Sequence, residues 1–299
     1  MELIKQNFSI KDLENLSGIK AHTIRIWEKR YNILTPNRTE TNIRSYDISN
    51  LQKLLNVTFL NEQGYKISRI AKLSPDEILK MVRNVAASTS EQNRAINSFK
   101  IAMINFDQVL FNTTYNSLLE KKTFREIFYQ IFMPLLSKIG LLWQTDTIHP
   151  VHEHFLVGLI KQKLSLNIAL LGDKNECEDT NLYVLFLPEN EIHDLGLLFL
   201  NYELNFHNKT TIYLGPCMPI ADMKYLLEIH SNPKFISYLT LGTIDATDFI
   251  SEFETELCKN KSREFNLFGP GIQNLNPFIH PDHIKIYKSI PEFTNQLAL

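Results

Sequence analysis

The chain has 299 residues, 44% hydrophobic and 21% charged, which allows two or three domains and excludes wholesale disorder. The formal net charge of −2 hides an asymmetry: residues 1–75 hold 12 Lys and Arg against 7 Asp and Glu, and the remainder holds 19 against 26. A basic head on an acidic body points to an anionic partner for the head, and no apolar run approaches the ~20 residues that a membrane-spanning helix needs.

The opening Met1-Glu2-Leu3-Ile4-Lys5 has no basic segment leading into an apolar one, so a cytoplasmic location is expected. Cys177, Cys217 and Cys258 are odd in number and far apart, which suggests reduced thiols without metal spacing. Three regions are expected: residues 1–75, a helical stretch over 76–171, and a strand–helix alternation over 181–299.

In the head, Phe8-Ser9-Ile10-Lys11-Asp12-Leu13 opens a helix with Ser9 as N-cap and Asp12 at the capping-box position. Gly18 makes a turn, and Lys20–Tyr31 gives a second helix with Ile24, Trp27 and Tyr31 on its inner face. Helix, Gly-containing turn and a second helix rich in Arg and Lys form a helix-turn-helix pattern for the major groove. Thr35–Arg38 and Asn42–Tyr46 flank a hairpin, read as a wing. Arg25, Arg30, Arg38 and Arg44 are candidates for charge-assisted bonds to phosphate, with Thr23 and Tyr46 adding neutral ones and Lys53 a further contact. The alternative for any single residue is a solvated ion pair, such as Arg30 with Glu28. Trp27 is assigned to the core.

The helical region is expected to form a four-helix bundle. Trp143 precedes a break, and Glu153-His154 opens the next helix nine residues later. A helix-loop-helix tip would bring indole, carboxylate and imidazole together. Taken alone, the same residues read as an amphipathic Trp at a bundle end and an ordinary polar helix start.

The last region alternates strand and helix from Leu182 to Leu297, which implies a five-stranded parallel sheet with helices on both faces. His193 lies in the loop after the first strand, Leu182–Leu187, where open α/β sheets bind ligands. A neutral imidazole suits a transition metal, and Glu191 could hold the second ring N–H. With strand order 2-1-3-4-5, Ser237-Tyr238-Leu239 in the third strand and Gly269-Pro270-Gly271 after the fourth would line one crevice with Gly196. Small residues there are expected to leave a channel for an extended ligand tail.

Four pieces of the head occur in order: Thr23-Ile24-Arg25-x-Trp27-Glu28, Asn32-x-Leu34-x-Pro36-x-Arg38, Arg44-x-Tyr46 and Gly64-Tyr65-x-Ile67-x-x-Ile70. Over residues 8–73 they resemble the MerR DNA-binding domain, with Asn32-Ile33 standing where that family usually has a Gly. In the body, Glu191-x-His193-x-x-Gly196, Ser237-x-Leu239 and Gly269-Pro270-Gly271 resemble the D-x-H-x-x-G, S-x-L and G-G motifs of flavodoxin-like (Rossmann-type) cobalamin-binding modules. Glu replaces Asp, and the last motif is not a plain Gly-Gly. Trp143, Glu153 and His154 match the W-x9-E-H motif of the cap that precedes such modules.

A MerR head on this body resembles the CarH/LitR group of light-responsive repressors. The resemblance implies a regulator that binds double-stranded operator DNA, holds cobalamin, in the adenosyl form, and assembles as a dimer or tetramer. It implies His193 as the lower cobalt ligand, and Trp143, Glu153 and His154 over the upper face. It also implies cofactor contacts from Glu191, Asp194, Gly196, Ser237, Leu239, Gly269 and Gly271. A His can follow the Trp in light-sensing members; here that place is Gln144. Two further readings stand beside this one: a MerR-type regulator that has lost the cofactor and answers to a protein partner, and a corrinoid carrier subunit of a methyltransferase. The DNA-binding head argues against the carrier, and no additional catalytic module marks the chain as an enzyme.

Overall fold

A computed structural model describes residues 7–38, 44–86, 91–144, 148–172, 182–240, 245–258, 263–272, 275 and 281–297. By internal contacts the chain divides into two compact units, residues 1–159 and 160–299.

The first unit begins with strand β1 (Asn7–Phe8) and helix α1 (Ile10–Ser17). Ser9 and Asp12 form a reciprocal capping box, which satisfies two N–H groups that the first turn cannot pair internally. Gly18 ends α1 at φ 78°. Helix α2 (Ala21–Tyr31) ends at Asn32 with φ 53°, a left-handed geometry that Asn tolerates where other side chains do not. Strands β2 (Asn37–Arg38) and β3 (Arg44–Asp47) pair antiparallel, with Arg38 opposite Arg44. The tip between them, residues 39–43, lies outside the described residues. β1 joins β3 on its other edge, Phe8 opposite Tyr46, a third strand that the two-residue segment did not announce.

Helices α3 (Ile48–Glu62), α4 (Ile67–Ile70) and α5 (Pro75–Ala86) follow. The bundle helices are α6 (Glu91–Asn105), α7 (Gln108–Leu119), and α8 (Phe124–Ile127), which runs through a π turn (Phe128–Phe132) into α9 (Met133–Gln144). Their core is aromatic. Phe99 lies 4.9 Å from Phe111 and 5.4 Å from Phe132 between ring centroids, and all three are fully buried. Helix α10 (Pro150–Leu170) spans the boundary between the units.

The second unit is a parallel sheet of β4 (Leu182–Phe186), β5 (Thr210–Gly215), β6 (Lys234–Tyr238), β7 (Phe265–Phe268) and β8 (Ile284–Ile286). Its order, β5-β4-β6-β7-β8, is the 2-1-3-4-5 arrangement on which the expected crevice depends. Helices α11 (Leu195–Phe206), α12 (Lys224–Ile229, entered through a 3₁₀ turn at Ile220–Met223), α13 (Ala246–Phe253) and α14 (Ile290–Leu297) connect or flank the strands. The expected helix 246–257 leaves α geometry at Glu254, where a π turn continues to Cys258. Phe186, Phe235, Phe249, Phe253 and Phe265 fill one side of the sheet without solvent access worth counting. β4 is accordingly a continuous apolar run, as buried parallel strands are. No helix among the described residues is long and apolar enough to cross a membrane.

Candidate functional site: a helix-turn-helix head and a histidine at a strand end

On α2, Ile24 and Trp27 are buried, and Arg25, Lys29 and Arg30 are exposed on the opposite side. Thr23 is half-buried, Arg38 is exposed at the start of the wing, and Lys53 is half-buried on α3. The exposed set is therefore presented by two elements, the second helix and the wing, that α2 holds in fixed relation.

Glu28 makes that connection. Its Oε1 accepts from Arg44 Nε at 3.1 Å, and its Oε2 accepts from the Tyr46 hydroxyl at 2.8 Å. Tyr46 is completely buried, and burial together with Glu28 raises the pKa of its hydroxyl. Tyr46, expected to contact phosphate, has its hydroxyl donating to Glu28 inside the domain. Arg44 likewise has its Nε committed to Glu28, while a third of its side chain stays open. Glu28, the carboxylate offered as an alternative partner for Arg30, serves the wing.

In the second unit, Glu191 sits in the loop after β4 and is fully buried. Its Oε1 accepts from the His193 backbone N–H at 2.9 Å and from His193 Nδ1 at 2.6 Å. Its Oε2 accepts from the Thr240 backbone N–H at 3.1 Å and the Thr240 hydroxyl at 2.6 Å. A buried carboxylate is tolerated only when its lone pairs are filled this way. The arrangement places the ring proton on Nδ1 and leaves Nε2 as the nitrogen able to donate a lone pair. The His193 side chain is 53% exposed, so that nitrogen is accessible. Thr240, just past the end of β6, escaped the sequence reading. Its hydroxyl neighbours the motif Ser237-x-Leu239, and a loop residue one place beyond a motif carries no periodic signal.

The other expected residues divide. Asp194 precedes α11, where its carboxylate pairs with Lys161 of α10 and lies 3.5 Å from the Tyr213 hydroxyl. Ser237 and Leu239 are buried, and Ser237 Oγ has no hydrogen-bond partner. Leu239 belongs to the core packed against α13. Gly196, Gly269 and Gly271 do converge on the end of β6, but not around an open channel. A Cβ on Gly196 would stand 2.7 Å from Cζ and Cε2 of Tyr238, and a Cβ on Gly269 would stand 3.0 Å from Tyr238 Cε1. A Cβ on Gly271 would meet the Thr240 carbonyl at 2.5 Å. Gly271 N–H donates to the Leu239 carbonyl at 3.0 Å. The expected channel is thus filled. The glycines let a tyrosine ring and the loop after β7 press against the sheet.

An oriented imidazole at the carboxyl end of a parallel strand, its side chain 53% exposed, suits a transition-metal cofactor. The adjoining slot does not suit an extended tail while Tyr238 occupies it. Glu153 and His154 lie in the first turn of α10, in the first unit, and are respectively half-buried and exposed on either side of that half-turn. Trp143 lies near the end of α9 by its backbone. His152, a sequence neighbour that could compete with His193 as a ligand, is buried and stacks on Phe106 at 4.8 Å between ring centroids.

With this geometry in view, residues 8–77 match the model of the MerR HTH family regulatory proteins, and residues 95–166 match that of the B12 binding domain. The two matches place a MerR-type region and a B12-binding-type region on one chain. It is 25% identical over 253 residues to the HTH-type transcriptional repressor CarH of Myxococcus xanthus, a match covering 83% of each chain. By structure it is similar to the monomethylamine corrinoid protein of Methanosarcina barkeri, with a TM-score of 0.56 at 11% identity, over 69% of this chain and 98% of that one. The latter likeness concerns the fold.

Proposed function

We propose that the chain is a transcriptional regulator, rather than an enzyme, whose head binds operator DNA under the control of a cobalamin held by its body. The observation that carries this is the Glu191–His193–Thr240 network at the ligand-binding edge of the sheet, on the same chain as a MerR-type head. The name of the Myxococcus relative supports repression as the direction of control.

When bound, a corrinoid would supply a cobalt centre able to exchange a ligand. In this reading His193 Nε2 would hold that metal. Glu191 fixes the tautomer and ring plane, and Thr240 fixes Glu191. By the resemblance, Trp143, Glu153 and His154 would be the residues that meet an adenosyl group, where a carboxylate could accept from ribose hydroxyls. Light sensitivity and its effect on homo-oligomer assembly would follow from that group, and Gln144 stands in sequence where light-sensing members can have a His. Arg25, Arg30 and Arg38 are the contacts to DNA that the exposed surface supports best.

The test is the absorption spectrum of the chain purified with hydroxocobalamin or adenosylcobalamin, followed by gel shift in darkness and after green light. A retained corrinoid spectrum that His193→Ala shifts and weakens supports the reading. Identical spectra and affinities for parent and His193→Ala protein place the ligand elsewhere. One observation favours a second reading, a regulator without the cofactor: the slot beside His193 is occupied by the protein's own Tyr238. A colourless protein that still binds DNA would select it.

A further inference from the structure

The edge of the sheet that would receive a corrinoid has two parts, and they differ in readiness. Beside His193 the donor set is complete. Below it, the Tyr238 ring lies between α11 and the loop after β7. One edge, Cδ2 to Cζ, faces Gly196, and the other edge, Cε1, faces Gly269. Both contacts are closer than any side chain larger than hydrogen would permit, so the two glycines form the walls of a slot one ring thick. Burial raises the pKa of the Tyr238 hydroxyl, in keeping with a ring packed inside the domain. Neighbouring residues on β6 do not share this face: Leu239 packs in the core against α13, and Ser237 is buried with its hydroxyl unpartnered. Alternation along the strand sends Tyr238, with the buried Ile236, to the face opposite Ser237 and Leu239.

We propose that Tyr238 determines which corrinoid this domain accepts: its ring closes the slot between Gly196 and Gly269, so that a corrinoid without a nucleotide tail is preferred to complete cobalamin. The proposal rests on the reading of the body as a corrinoid site. A tail can enter this slot only by expelling the ring into water, and the tail's own contacts must first offset that loss. A tail-less corrinoid needs only the exposed His193 end and meets no such competitor. The ring, not the hydroxyl, carries the effect.

The experiment is an absorbance titration of the full chain with hydroxocobalamin and with dicyanocobinamide, a corrinoid lacking the nucleotide tail. It is run on the parent protein, Tyr238→Phe and Tyr238→Ala. The expected result is tighter binding of cobinamide than of cobalamin by the parent and by Tyr238→Phe. Tyr238→Ala should tighten cobalamin binding by about tenfold or more and leave cobinamide unchanged. If Tyr238→Ala does not fold, the preference of the parent protein alone decides. Cobalamin binding by Tyr238→Ala where the parent takes up neither ligand also supports the plug. A parent protein that prefers complete cobalamin, with a preference that Tyr238→Ala leaves unaltered, overturns the proposal and keeps the cofactor reading. No uptake of either corrinoid by any of the three proteins overturns both.

Discussion

Lys100 is the charged side chain most at odds with its surroundings. It is 9% exposed on α6, where its ammonium lies 3.5 Å from the Leu16 carbonyl at the end of α1. Burial lowers its pKa to about 8; Lys138 acts in the same direction, and Glu62 opposes. The folded state therefore releases this proton at a lower pH than the unfolded chain does. Between about pH 8 and the ordinary lysine value the unfolded state binds more protons, so stability rises with pH across that window. The rise should total roughly 3 kcal/mol. Lys100→Met should be more stable than the parent below pH 8 and lack the rise, as urea unfolding at a series of pH values would show. Tyr46 offers the complementary case of a polar group that is satisfied. Tyr46→Phe removes the donor to Glu28 and should cost about 2 kcal/mol. Denaturation midpoints check this, and an unchanged midpoint would mean that Arg44 alone satisfies Glu28.

Among the elements, α11 and the loop after β7 depend on glycine for different reasons. Gly269 has φ 101°, and a Cβ there would strike the Leu239 carbonyl, which is backbone and cannot move aside. Gly196 is helical, and its obstacle is the Tyr238 ring, a side chain. Gly269→Ala should therefore destabilise by at least ~1–3 kcal/mol, and Gly196→Ala by less. In a Tyr238→Ala background the cost of Gly196→Ala should fall, while that of Gly269→Ala should persist. Thermal unfolding of the four variants decides it; equal costs in both backgrounds would show that the ring does not form the wall. In the head, the exposed position of Arg25 on α2 predicts a loss of ~1–3 kcal/mol in DNA affinity on Arg25→Ala if it reaches a base edge. Gel shifts with Arg25→Ala, compared with Tyr46→Phe, separate a DNA contact from a core residue. The first should lose affinity at unchanged stability, and the second the reverse.

At the scale of the whole molecule, an acidic body attached to a basic head makes operator affinity depend steeply on salt, because phosphate contacts release counterions. A plot of log affinity against log salt should have a clearly negative slope that Arg25→Ala and Arg38→Ala each make shallower; a flat plot would exclude a phosphate-tracking head. Much of this organisation was legible from residue order alone. The capping box at Ser9, the left-handed stop at Asn32 and the inner face of α2 follow from local rules that act within a turn or along one helix. The Glu191–His193 pair was legible for the same reason, being two residues apart in one loop. What only the tertiary structure decided involves residues far apart in sequence. Glu28 chooses Arg44 and Tyr46 over Arg30, Thr240 closes the network around Glu191 from 49 positions away, and Tyr238 fills the space that Gly196 and Gly269 leave. A glycine in a sequence says only that a side chain is absent. Whether that space stays open for a ligand or is taken by the protein's own ring depends on close packing, which competes for every void once the sheet and helices have met.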